Sequence, residues 1–252
     1  MEQFSDLAEY FSDFVAFCVF LSCWGGYTWF ADHRQRESGT IMVAMHQHRV
    51  LWMKRMRYRD VRIGDINTIS AANQSVMLFI TTTVFLIAGL VAILGALDKA
   101  RAVVSELEFV VTASRVMWEI KIFVLILVFA YAFFKFMWSL RQFNFTMMVL
   151  GAAPLHTEPD AEDWETFPLR AARMVSLAVD SFNRGVRAYY FSLAALGWFV
   201  HPWVFALTTI WIVLVLYRRE FRSHTFRTLI APEGDPFQYP PATTSRDNEP
   251  KP

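Results

Sequence analysis

Charge is missing from four long stretches of this chain, and cysteine is scarce throughout it. Only Cys18 and Cys23 occur among 252 residues, both inside the first apolar stretch. Five positions apart, they miss a shared helix face. That argues against a disulfide framework or a thiolate metal site, and they read as small buried apolar residues. No Lys or Arg precedes Phe14, whereas Glu2, Asp6, Glu9 and Asp13 do. This lead lacks the basic n-region of a secretory signal, so the first run is expected to be retained as a helix. A formal net charge of +1 gives no global field for nucleic acid or an acidic partner. A nucleophile elbow, a P-loop, a zinc-protease motif and a dinucleotide fingerprint are all lacking. His46-x-His48 does not make a metal pair, because rings two apart on a helix diverge. The expectation is therefore a chain without catalytic residues, cofactor or resident metal.

What is present is apolar length. Phe11–Phe30, Val76–Leu97, Ile122–Leu140 and Ala188–Tyr217 are runs almost free of charge. About 20 such residues cross a ~30 Å hydrocarbon core at ~1.5 Å rise per residue. The 55% apolar content and 24 Phe come in blocks rather than amphipathic periods, which is membrane composition. These features predict an all-α integral membrane protein, a bundle of four to five transmembrane helices.

Basic residues orient the bundle. Arg34, Arg36, Arg49, Lys54, Arg55, Arg57, Arg59 and Arg62 crowd the first connection, which the positive-inside rule makes cytoplasmic. The N-terminus is then outside. A single fourth span would strand Arg218, Arg219, Arg222 and Arg227 outside, against the rule. Gly197-Trp198-Phe199-Val200-His201-Pro202-Trp203 offers a turn, since Gly and Pro punctuate helices and Trp favours the interface. The preferred reading is a helical hairpin turning at Gly197–Trp203, with a cytoplasmic C-terminus; the other is one Pro-kinked helix. The expected organisation is an acidic outer segment at 1–10 and a helical membrane domain at 11–230. That domain carries cytoplasmic loops at 31–69 and 141–175, and a disordered Pro-rich tail follows at 231–252. The expected location is the inner (plasma) membrane.

Three sets of residues are candidates for function. Ala172, Val175, Val179, Phe182, Val186 and Tyr190 make an apolar stripe at helical spacing. Asp180, Arg184 and Arg187 fall on the opposing face and, with Asn183, Asn73 and Thr82, form a candidate polar lining for a solute path. A solvated face with ion pairs of small worth is the plainer reading. Ala88, Ala92 and Ala96, with Gly89 and Gly95, form a small-residue stripe that allows close helix packing within a bundle or between subunits. Lys54, Arg57 and Arg62 are expected on anionic lipid headgroups at the inner leaflet.

Three stretches resemble one family. They are Arg59-Asp60-Val61-Arg62-Ile63-Gly64-Asp65, the Ser/Thr-then-small-residue second run, and Phe182-Asn183-Arg184-Gly185-Val186-Arg187-Ala188-Tyr189-Tyr190-Phe191 leading into Trp198-Phe199. They resemble the membrane family catalogued as domain of unknown function 599, from the first span to about Arg222. The resemblance implies a multi-spanning protein with no assigned activity and transfers no catalytic residue. The reading taken forward is a homo-oligomeric small-solute or ion channel or transporter. A non-catalytic accessory or assembly subunit of a larger membrane complex is the alternative, and a lipid-acting enzyme comes third. Expected partners are the lipid bilayer, a second copy of the chain and other membrane subunits, but no nucleic acid.

Overall fold

Along the first helix the buried positions are Asp13, Ala16, Phe20, Tyr27 and Ala31. Their steps of three, four and seven residues place one face of a helix against a core. The computed structural model describes residues 2–34, 40–105, 114–154 and 165–221. Among them the fold is all-helical: α1 (Glu2–Arg34), α2 (Ile41–Met56), α3 (Ile63–Gly95), α4 (Leu97–Ser105), α5 (Arg115–Gly151), α6 (Phe167–Leu196) and α7 (Pro202–Phe221). Three of these helices are long and apolar enough to cross a membrane: α1 over Tyr10–Arg34, α3 and α5. The Pro-rich tail expected to be disordered at 231–252 lies outside the described residues.

Local signals set the ends. Thr40 Oγ1 accepts from the Val43 N–H to cap α2, and Ser114 Oγ accepts from the Met117 N–H to cap α5. Pro168 sits in the first turn of α6, where its missing N–H costs nothing. After Leu196 a single 3-10 turn, Gly197–Phe199, ends the helix, and Pro202 opens α7. His201 Nδ1 accepts from the Trp203 N–H, so that histidine caps the new helix. Two side-chain hydrogen bonds join α7 to α6 across this turn: Thr208 Oγ1 donates to the Ala194 carbonyl, and Arg219 Nη1 to the Tyr190 hydroxyl.

Helix α5 lies between α3 and α6, α7 packs on α1 and α6, and α2 lies across α6. Two aromatic clusters fill the contacts. Phe20 meets Trp24, Phe191 and Phe205, and Phe136 meets Phe79, Phe182 and Tyr189. Gly185 explains how α6 comes so close to α5. A Cβ there would overlap the buried Phe136 ring, 2.7 Å from its Cδ1 and 2.8 Å from its Cζ.

One feature differs from the sequence reading. Helix α5 continues past Leu140 to Gly151, so much of the connection expected at 141–175 is helix, with Phe143, Thr146 and Leu150 buried. There an apolar stripe continues beyond the uncharged run, and burial follows the stripe. Within the expected first loop, where Met42, Met45, Trp52, Met53 and Met56 can line one side of a helix, α2 forms and buries Met53 and Met56 completely.

Candidate functional site

The polar face of α6 meets acids from two other helices. Arg187 is buried at 2% exposure and is held from both sides. Its Nε lies 2.9 Å from Glu220 Oε1 and its Nη2 3.4 Å from Glu220 Oε2, a fork-to-fork pair with α7. Its Nη1 donates to Asp32 Oδ1 of α1 at 3.1 Å. One turn earlier, Arg184 Nη2 bridges Asp32 Oδ2 at 3.2 Å and Asp180 Oδ2 at 3.0 Å. Three carboxylates thus face two guanidiniums where α1, α6 and α7 converge, and the Tyr27 ring lies 5.9 Å from the Arg187 guanidinium carbon. Lys135 of α5 rests over the Tyr131 ring at 5.3 Å.

Space opens on either side of this cluster. A cavity of about 830 Å³ is walled by Asp32, Asp180, Arg184, Arg173, Ser176 and His46, among others, between α2 and α6. A smaller one of about 180 Å³ reaches Arg187 and Glu220 from the side of Asn183, Tyr190 and Arg219. Arg187 and Glu220 therefore line one cavity, Asp180 and Arg184 the other, and Asp32 ties the two together.

A second buried ion pair sits near the other end of α1. Lys121 Nζ lies 3.4 Å from Asp13 Oδ1 and donates to the Trp198 carbonyl at 3.0 Å, while Trp198 Nε1 donates to Asp13. Lys121 and Asp13 are 4% and 3% exposed. This triad pins α1, α5 and the turn before α7. Asp13 and Asp32 are roughly 28 Å apart along α1 at ~1.5 Å per residue. The wall between the two charged clusters is about as tall as a hydrocarbon core.

Not all the residues proposed from sequence gather here. Asp180, Arg184 and Arg187 do, and Asn183 lies at the smaller cavity, where its Nδ2 touches Met42 Sδ at 3.6 Å. Asn73 instead donates to Asn144 Oδ1 at 2.9 Å, between α3 and α5. Thr82 is exposed and returns its hydroxyl to the Leu78 carbonyl. Ala88, Gly89, Ala92, Gly95 and Ala96 are all exposed, and a Cβ on Gly89 or Gly95 would meet nothing within 4 Å. The close approach inside the chain is at Gly185. Of the basic trio, Lys54 is exposed and Arg57 half-buried, but Arg62 donates to the Ala153 and Pro154 carbonyls. It satisfies carbonyls just past the end of α5, where a cation is favoured. Arg59 and Trp52 close on the buried Asp65, so this basic segment is a clasp between α2, α3 and α5.

Sequence reasoning missed Asp32, Glu220, Asp13 and Lys121. Acids just inside or beside apolar runs were the signal available, since an unpaired carboxylate there needs a cation. Among the described residues no group of three or more His, Cys, Asp or Glu side chains is placed to hold a metal ion.

No curated protein and no solved structure matches the chain significantly. The family described as protein of unknown function, DUF599, matches residues 15–225, a span that holds Asp32, Asp65, Lys121, Arg187 and Glu220 and begins two residues after Asp13. The chain is a member of that DUF599 family.

Proposed function

We propose that this membrane protein conducts or carries a small solute, with α1, α6 and α7 forming the path. One observation carries the reading: Arg187, 2% exposed, is held by Asp32 and Glu220 with a cavity on either side. Ionisable groups inside a membrane bundle are costly and are retained where they serve a pathway or relay. For stability alone, a buried ion network offers little over well-packed apolar residues. In the proposal α6 and α7 cross as a hairpin turning outside, and the large cavity is a cytoplasmic vestibule closed by Asp32 and Arg184, with Arg187 beyond them. Chemistry on the solute plays no part, and the protein is not an enzyme. Helices this few enclose no wide pore, so copies associate through the exposed Ala88–Ala92–Ala96 stripe of α3. The membrane is the inner (plasma) membrane, with the N-terminus outside and the C-terminus cytoplasmic.

The test is flux in liposomes holding the purified chain, under a salt gradient, for wild type, Arg184→Ala and Glu220→Gln. Wild-type flux altered by either substitution in protein of unchanged oligomeric size is expected. An absence of flux across several anions and cations, with intact oligomers, would overturn the reading in favour of an accessory subunit. The broad apolar surface of α3, with Leu78, Phe85 and Val91 exposed, suits either lipid or a larger complex.

A further inference from the structure

A second cationic group stands apart from the ion pairs, behind the wall of the large cavity, where it touches the wall residue Ser176. Arg49 of α2 is 9% exposed, yet no carboxylate among the described residues lies within ion-pair distance of it. Its Nη1 donates to Ser176 Oγ of α6 at 3.0 Å, and His46 Nδ1 lies 2.9 Å from the same oxygen. Ser176 passes its own proton to the Ala172 carbonyl. Arg173 is one turn before Ser176 on α6, exposed and on the wall of the same cavity as His46 and Ser176. Both pairs, His46 with Arg49 and Arg173 with Ser176, are three apart on their helices, so each pair shares a face.

Burying a guanidinium with only a hydroxyl for company is expensive. Every other buried cation here has a carboxylate: Arg187 has two, and Lys121 has Asp13. The carboxylates on the cavity wall, Asp32 and Asp180, are already engaged by Arg184. Among the described residues the α2 edge therefore has positive charge with no carboxylate paired to it. The His46 ring feels this directly, since burial, Arg49 and Arg173 all hold its pKa below the ordinary value.

The geometry points to an oxyanion site between α2 and α6, where Arg173, His46 and Ser176 on the cavity wall, with Arg49 behind Ser176, take a phosphate monoester group from the cavity. A planar fork and a second arginine suit the tetrahedral, doubly charged group. In the proposed topology the site lies beside the cytoplasmic leaflet, which allows two sources with the same chemistry, a lipid headgroup or a dissolved phosphate. The site needs no solute to pass through the membrane, so it stands apart from the transport reading.

The test uses the full chain in maltoside, which has no phosphate of its own. Thermal midpoints are measured with inorganic phosphate against chloride at matched ionic strength, and with phosphatidate against diacylglycerol of the same chains. Wild type, Arg49→Gln and Arg173→Ala are compared; Arg173 is exposed, so its removal leaves the fold intact. A raised midpoint with free phosphate assigns a dissolved ligand, and one with phosphatidate alone assigns a headgroup. In either case both substitutions are expected to weaken apparent affinity about tenfold or more. No rise with either ligand overturns the proposal. A rise that survives both substitutions overturns it as well.

Discussion

Arg187→Ala removes the cation that two carboxylates share. Asp32 keeps Arg184 at 3.2 Å, so the group left without a charge partner is Glu220, about one-fifth exposed. Breaking a buried pair costs about 3–5 kcal/mol, and the partial exposure of Glu220 argues for the lower end, about 3 kcal/mol. In a domain of this size each kcal/mol moves the midpoint by about 2–4 °C, which gives a fall of about 6–12 °C. The cost comes from an orphaned carboxylate rather than from a lost contact. The double variant Arg187→Ala/Glu220→Gln should therefore regain part of the loss, although it has fewer native groups. Tryptophan fluorescence of the detergent-solubilised chain on heating reads both. A midpoint for Arg187→Ala within a degree of wild type would refute the reasoning, as would a double variant less stable than the single.

Gly185→Val should destabilise by about 1–3 kcal/mol, because its Cβ enters the space of the Phe136 ring, itself packed among Phe79, Phe182 and Tyr189; thermal unfolding checks this. Ala92→Leu should leave the folded subunit unchanged but weaken self-association, read by size in detergent, whereas Ala102→Leu outside the stripe should do neither. His46 has its folded pKa held below the 6.5 of the free side chain by burial, Arg49 and Arg173, with Asp32 and Asp180 on the same cavity wall. The unfolded chain therefore binds more protons just below that value, and stability should be full above pH 6.5 and fall as the pH drops below it. In phosphate-free buffer, His46→Gln should flatten that part of the stability profile.

The helices were legible because apolar runs, caps and the Gly-Trp-Phe-Val-His-Pro string are local signals. Asp180–Arg184 was legible for the same reason, being one helical turn apart. The partners that give this face its meaning were not. Asp32 reaches Arg187 from another helix far earlier in the chain, and Glu220 from a helix after the turn; no spacing rule predicts such meetings. Arg62 read as a headgroup ligand because basic residues beside a span normally are, yet the end of α5 supplies carbonyls that no sequence pattern announces. The small residues of α3 were read as a packing seam, but within one subunit α5 meets α6 through Gly185 instead.

The proposed path requires a water-filled vestibule open to the cytoplasm within the membrane bundle. With Cys18 and Cys23 replaced by Ser, a single Leu177→Cys on the cavity wall can be probed with a membrane-impermeant thiol reagent in vesicles of each orientation. Phe85→Cys, on the exposed apolar face of α3, is the control. Reaction of position 177 from the cytoplasmic side alone, with position 85 unreactive from both, is the predicted result. A position 177 that resists the reagent from both sides, or reacts from the outer side, would contradict the account.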